Sequence, residues 1–323
     1  MAVAALFIKR WGSQAVILAG LPCYAVCLTG LGLAPSLPLL AAALFLFGFA
    51  SNTFNIALNA QAVDVECLYR RPIMSTFHGM WSLGGTLGAI GGPLGLPPLP
   101  HFVIMCAVTC LVTFSVRHRI LPHDLPRKFT PKKHRGFTMP SCFILLLGFI
   151  AFSNMATEGT MYDWSAVYFA QVVRPGEALV RAGYIACMIC MVFCRFIADR
   201  LVVRFGAIRV LQFGGLCTAA GFLLACLVPP LPAATAGFAL VGFGMAPAIP
   251  LCYSLTSKSR TVSPSVAISI ISTISFFGML ASPAGVGMLS HVFGLQTALM
   301  PLAAMGLSII VLAPLLTRAE RNQ

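Results

Sequence analysis

The sequence predicts an all-α integral membrane protein made of two copies of one helical unit. Three observations support this fold class: the composition, long segments without charged residues, and an internal repeat. The chain is 59% hydrophobic and 9% charged, with a mean hydropathy of +0.91. Because soluble domains carry about 25% charged residues, this composition excludes an ordinary soluble domain.

The uncharged segments predict the number of membrane spans. Residues 210–257 and 261–317 contain no Asp, Glu, Lys or Arg. A helix needs roughly 20 apolar residues to cross a bilayer, so each block is long enough for two crossings with a turn between them. The same criterion along the chain predicts an apolar stub at 1–8 and about ten full spans. These spans are 14–33, 38–60, 73–95, 101–119, 138–164, 180–199, 207–228, 233–254, 264–289 and 295–315.

The basic residues predict the orientation of these spans. Nearly all Lys and Arg lie in loops and tails on one side, whereas Arg174 and Arg181 lie on the other. Since cytoplasmic loops carry an excess of Lys and Arg, we expect the basic side and the C-terminus to face the cytoplasm. The net charge of +13 then reflects topology. No basic cluster has the interleaved aromatic residues of a nucleic-acid surface, so we expect no nucleic-acid partner.

An internal repeat divides the chain. Residues that match at an offset of 194 include turn prolines and glycines: Arg10-Trp-Gly12 with Arg204-Phe-Gly206, Pro35 with Pro229, Gly48 with Gly242, and Gly84 with Gly278. Because this offset joins spans of the same direction, the two units are parallel repeats. We expect an incomplete N-terminal repeat at 1–120, a basic cytoplasmic linker at 121–137 and a six-helix repeat at 138–323. Spans 138–164 and 180–199 have no counterpart in the first copy, which would lack its first helix and most of its second.

The segment ADRLVVRFGAIRV (198–210) resembles the short loop signature of the major facilitator superfamily. Asp199, Arg200, Gly206 and Arg209 match that signature, and its leading Gly is absent. The segments RRPIMSTFHGMWSLGGTLGAIGG (70–92) and EGTMYDWSAVYF (158–169) resemble the YbjJ-type bacterial inner-membrane branch near the fucose-permease-like group.

The resemblance implies an N-terminally shortened secondary active transporter in the bacterial cytoplasmic membrane. It would move a small solute by alternating access between the two repeats, coupled to protons. Two alternatives stay open: a drug or metabolite antiporter, and an inactive truncated transporter. The antiporter alternative rests on a partial match of Gly79, Gly88, Gly92 and Pro93 to an antiporter motif of the superfamily.

The resemblance also assigns a cytoplasmic gate motif. Its candidate residues are Arg195, Asp199, Arg200, Arg204, Gly206 and Arg209. In the family this loop docks onto the start of a helix in the opposite repeat. We therefore expect the Asp199 carboxylate within reach of the backbone at 73–76, or of Arg70 or Arg71, because the free N–H groups of a helix start favour an anion. The alternative is an ion pair between Arg195 and Asp199, which are four residues apart on one helix.

Polar residues at helical spacing inside the spans are the substrate and proton candidates. Asn52, Asn55 and Asn59 share one helix face, which must meet other helices or a water-filled cavity, because amides facing lipid are costly. His78 and Ser82 lie on a second such face, where His78 is either a structural residue or a proton relay.

A third group lies in span 138–164, near its outer boundary. Asn154 and Glu158 are four residues apart, and Asp163 follows. We expect Glu158 to be either an acid at the membrane interface or the acid that meets protons or substrate at the outer mouth.

The sequence predicts no catalytic or metal chemistry, and it predicts a few kinds of partner. The sequence has no paired His and Asp, no HExxH segment and no nucleophile elbow, so we do not expect an enzyme. The twelve cysteines fall almost wholly within predicted spans, where free Cys acts as a small apolar residue, and we expect neither a metal nor a cofactor. The expected partners are a small-molecule substrate, optionally H⁺, and membrane lipids, with the protein as a monomer.

Overall fold

The structure, a computed structural model, describes residues 2–91, 96–122 and 140–323, and every regular element in these ranges is a helix. The α-helices are α1 (Ala2–Leu33), α2 (Leu37–Tyr69), α3 (Met74–Gly91), α4 (Pro98–Val116), α5 (Cys142–Tyr168), α6 (Ala182–Phe205), α7 (Ala207–Leu227), α8 (Leu231–Met245), α9 (Ala248–Ser254), α10 (Pro264–Phe293), α11 (Leu295–Ala298) and α12 (Met300–Arg321). Most of the predicted linker 121–137, and Gly92 and Pro93 of the antiporter motif, lie outside the described residues.

The helices follow the predicted spans, with differences at several ends. The predicted span 38–60 continues as helix to Tyr69, because no proline or glycine lies between residues 60 and 70. The predicted span 233–254 is two helices, α8 and α9, which meet near Pro247. The described residues contain eight helices long and apolar enough to cross a membrane. The segments α3 and α6 are not among these eight, and the count of ten spans stays a prediction.

Two glycines at matching positions of the internal repeat have the same backbone conformation. The predicted stub 1–8 and the span 14–33 form the single element α1, which bends at Gly12 with φ 80° and ψ 159°. Gly206, its repeat partner, has φ 83° and ψ 154° where α6 ends and α7 begins. Only glycine adopts this left-handed conformation without a clash at Cβ. The two repeats therefore turn their chain at the same position and in the same way.

Two hydrophobic cores hold the helices together. The first joins both repeats, since it contains Ile8 and Ile56 from the first repeat and Phe143, Leu211 and Ile268 from the second. All residues of the second core come after residue 155. We call the end of the bundle with Arg70, Arg117, Arg204 and Lys258 the basic end. The first core lies toward this end, so the described repeats are packed together there, whereas the second core contains residues of the second repeat only.

Candidate functional site

A cavity of about 570 Å³ lies between the two repeats. Its walls come from α2 and α3 of the first repeat and from α5, α6, α9 and α10 of the second. Five of the candidates from the sequence line it: Asn55, Asn59, His78, Glu158 and Arg195. Ligand sites are typically concave and apolar with a few convergent polar groups, and this cavity has that composition.

The asparagine side chains of α2 line two different cavities. The Asn59 side chain donates hydrogen bonds to the carbonyl oxygen of Asn55 at 2.9 Å and to its side-chain oxygen at 3.0 Å. Asn52 does not join them. It lines a separate groove of about 340 Å³ with residues of α1 and α2, so Asn55 and Asn59 line the cavity and Asn52 meets a neighbouring helix. Seven residues span about two helical turns, which places Asn52 about 10 Å along α2 from Asn59.

Gln61, a cavity residue that the sequence analysis missed, connects α2 to its own repeat. Its amide donates to the Ser13 hydroxyl at 3.0 Å and to the Leu121 carbonyl at 3.2 Å. The side chain is buried, and it belongs to the cavity wall. These hydrogen bonds therefore hold this part of the cavity wall against α1 and Leu121 of the same repeat.

Glu158 of α5 lines the cavity. Its side chain is only 5% exposed, and it accepts a hydrogen bond of 2.8 Å from the Tyr162 hydroxyl. Asp163 is exposed and is not part of the cavity wall. Asn154 is buried, also outside the wall, and its side-chain nitrogen has no partner in the described part of the chain.

Arg195 enters the cavity from α6. It is 3% exposed, and it donates from Nη1 to the Ser82 hydroxyl on α3. No ion pair between Arg195 and Asp199 is present among the described residues, so that alternative is wrong. The Asp199 carboxylate accepts hydrogen bonds from α3 instead. Arg195 Nε and His78 Nε2 are both buried and have no hydrogen-bond partner in the described part of the chain.

The Asp199 carboxylate reaches the start of α3 across the repeat boundary. It accepts from the backbone N–H of Ser75 at 3.1 Å and of Thr76 at 2.8 Å, and from the Thr76 hydroxyl at 2.6 Å. The expected contact at 73–76 is thus confirmed. The first N–H groups of a helix have no partner within the helix, and a carboxylate satisfies them and meets the positive end of the helix dipole. The remaining charged motif residues, Arg200, Arg204 and Arg209, are exposed.

Glu66 makes a second contact between the repeats, which the sequence analysis missed. Its carboxylate accepts from the backbone N–H groups of Ile73 at 2.8 Å and Met74 at 2.9 Å, and from the Ser254 hydroxyl of the second repeat. One available signal is that Glu66 is among only eight acidic residues in the chain. Glu66 and Asp199 together hold the start of α3 and close the basic end of the cavity.

A bundle of two parallel helical repeats, with a cavity between them that holds a few polar groups and is closed at one end, is the structural plan of alternating-access membrane transporters. The comparisons with known proteins agree with this class. A sequence model of the Major Facilitator Superfamily matches residues 1–261, and the chain belongs to this superfamily. The protein is therefore a transporter and not an enzyme.

Relatives and solved structures support the same assignment. The chain is 35% identical to a transporter of Sinorhizobium fredii, y4wD, over 301 residues that cover 91% of this chain and 78% of that protein. It is 32% identical to an MFS-type transporter of Yersinia pestis over 336 residues, covering 98% and 83% of the two chains.

The similar solved structures include FucP, a Major Facilitator Superfamily transporter crystallised in the outward conformation. It matches with a TM-score of 0.79 at 16% identity, covering 97% of this chain and 85% of FucP. A variant of the same protein, described as the E. coli fucose:proton symporter, matches with a TM-score of 0.76 at 16% identity, covering 97% and 86% of the two chains.

Proposed function

We propose that this protein is a secondary active transporter that moves a small solute through the cavity between its repeats, coupled to protons. The observation that carries the proposal is the cavity itself. It holds polar groups from both repeats, and it is closed at one end by hydrogen bonds that run between them. Breaking these bonds and forming others at the opposite end would expose the same polar groups to the other side.

The proposal includes the orientation and organisation of the chain. The basic end, with the C-terminus, faces the cytoplasm across the bacterial cytoplasmic membrane, as the distribution of Lys and Arg indicates. The ten helical segments that follow the predicted spans all cross the membrane. They form an N-terminal repeat at 1–120 and a C-terminal repeat at 138–323, in a monomer. We place the protein in the YbjJ-type branch on its sequence segments 70–92 and 158–169.

Glu158 is the proposed proton-carrying residue. It is a buried acid in the cavity wall, and an ionisable group inside a membrane bundle is a functional candidate because burying a charge there is costly. Its hydrogen bond from Tyr162 holds the carboxyl group in place. The description of FucP as a fucose:proton symporter supports proton coupling in a protein of the same fold.

We expect Glu158→Gln to uncouple solute movement from proton movement. Gln keeps the shape and accepts the Tyr162 hydrogen bond but cannot carry a proton. Purified protein is placed in liposomes that contain a pH-sensitive dye, and small solutes are added outside. The proton influx that accompanies a solute is expected to fall at least ~10-fold in the variant, while downhill exchange of the labelled solute continues.

The control is Glu177→Gln, which removes an exposed acid away from the cavity. It should behave as the unsubstituted protein. Proton influx that is equal in Glu158→Gln and the unsubstituted protein would remove Glu158 from the coupling. A panel in which no solute moves, in any variant, would count against transport itself.

A further inference from the structure

Arg195 is a buried cation that has no counter-ion among the described residues. No carboxylate of the described residues lies within ion-pair distance of its guanidinium group, and its described hydrogen bond goes to the neutral Ser82 hydroxyl. Its Nε is buried and has no partner in the described part of the chain. A buried charge that is neither paired nor fully hydrogen-bonded destabilises the protein. An anionic ligand that pairs with Arg195 would offset this destabilisation.

The groups around Arg195 extend the site for an anion. His78 lines the same cavity, and its Nε2 also lacks a partner among the described residues. The ring of His78 lies 5.9 Å from that of Tyr253, whose hydroxyl is within 2.8 Å of the Ser272 hydroxyl. The α3–α6 side of the cavity therefore carries two side chains with nitrogen atoms, Arg195 and His78, beside the space in which an oxygen anion would bind.

The rest of the wall is apolar and aromatic. Phe77, Met80, Trp81, Met155 and Phe276 all line the cavity. Such a wall favours a ligand with a hydrophobic body, since apolar surface gains free energy when it leaves water. The acid of the cavity, Glu158, has no cation within ion-pair distance among the described residues, and its described partner is Tyr162.

We propose that the substrate is a small organic carboxylate with an apolar or aromatic body, whose carboxylate pairs with Arg195, and that it enters together with a proton on Glu158. Among the described residues, the cavity wall carries one positive side chain, Arg195, and one negative side chain, Glu158. Adding one carboxylate and one proton leaves its total charge unchanged, with both side-chain charges compensated. This inference rests on the proposed transport function and specifies its substrate class and the ratio of one proton to one carboxylate.

Matched acid and amide probes test the inference. Benzoate with benzamide, and nicotinate with nicotinamide, have the same body and differ in the charge that Arg195 would recognise. Binding to the purified full chain is measured by calorimetry and by the rise in melting temperature, which reports ligand that binds the folded protein. We expect the acids to bind and the amides to bind at least ~10-fold more weakly.

Variants of Arg195 then assign the preference. Arg195→Gln is expected to weaken acid binding roughly 30-fold and to remove the preference over the amides. Arg195→Lys keeps the charge without the planar fork of donors, so it should retain a reduced preference and serves as the test if the Gln variant does not fold. Arg181→Gln, which changes an exposed arginine before α6, is the control and should bind as the unsubstituted protein does.

Two outcomes overturn the inference. In the first, neither acid binds better than its amide. In the second, the preference for the acids over the amides survives in Arg195→Gln. These outcomes are separable from a failure of the proposed function. If a neutral solute still moves protons through Glu158 in the liposome assay, transport stands and only the substrate class is wrong.

Discussion

Asp199→Ala is expected to release the start of α3 from the second repeat. The substitution removes all three hydrogen bonds that the carboxylate accepts from Ser75 and Thr76. Hydrogen bonds to a charged group contribute about 1.5–3 kcal/mol each, and their loss leaves N–H groups unsatisfied. Amide hydrogen exchange at Ser75 and Thr76 should therefore accelerate on the order of 100-fold, because exchange follows the free energy of local opening.

The measurement is exchange followed by mass spectrometry on peptides that cover residues 73–79. The start of α10 provides an internal control, since it is capped by its own residue Ser263 through Val266. Peptides from that segment should exchange at the same rate in both proteins. Unchanged exchange at 73–79 would mean that Asp199 does not hold α3, and the gate assigned to this contact would be lost.

Gly242→Ala is expected to destabilise the second repeat strongly. A Cβ atom at Gly242 would lie 2.0 Å from the carbonyl oxygen of Cys187, so α8 and α6 must separate to admit it. Overpacking a close contact costs about 1–3 kcal/mol and occasionally more. Because the opposing atom is backbone and cannot rotate away, we expect a loss of about 3 kcal/mol in the free energy of unfolding, measured by denaturant titration in detergent.

The internal repeat supplies a matched control for this substitution. Gly48 is the repeat partner of Gly242, and the described residues place nothing within 4 Å of a Cβ atom there. Gly48→Ala should therefore leave stability nearly unchanged or raise it slightly, because alanine restricts the unfolded chain more than glycine. The same contrast holds for Gly278, whose Cβ would meet Phe152 at 2.6 Å, and its partner Gly84, which is open. Equal losses within each pair would contradict these contacts.

The sequence predicted features that depend on local composition and on the repeat. Long uncharged segments located the helices, and the offset of 194 predicted the common turn that Gly12 and Gly206 adopt. The contact of Asp199 with the start of α3 followed from the family resemblance of its loop. The first two features depend on residues that are close in the sequence or that the repeat relates, and the third depends on the family resemblance.

The sequence could not predict which helix face meets which neighbour. Asn52, Asn55 and Asn59 share one face of an ideal helix, yet Asn52 lines a different groove from the other two. An ion pair of Arg195 with Asp199 along their own helix was the open alternative, whereas each side chain instead binds α3. The partners of these side chains depend on how α2 and α6 are rotated and tilted in the bundle. Because apolar residues surround the whole helix, the hydrophobic pattern does not indicate that rotation.

The role of Glu66 illustrates a second limit. The contacts of this residue join α2, the start of α3 and Ser254, and the last of these is 188 residues away in the sequence. A single acid at the end of a helix is by itself an ordinary surface residue. Only the packing of the two repeats at the basic end gives its carboxylate three donors.

We expect the cavity to be closed at the basic end and to open to the other side of the membrane. The most direct test labels a cysteine at Ala62, which lines the cavity, with a membrane-impermeant maleimide in right-side-out and inside-out vesicles. Tandem mass spectrometry assigns the label to residue 62 rather than to a native cysteine, and the exposed Cys67 near the basic end monitors access from that side. We expect Ala62→Cys to be labelled from the side opposite the basic end, with labelling from the basic side appearing when Asp199→Ala is added. Labelling from the basic side alone, or labelling that Asp199→Ala leaves unchanged, would contradict the account.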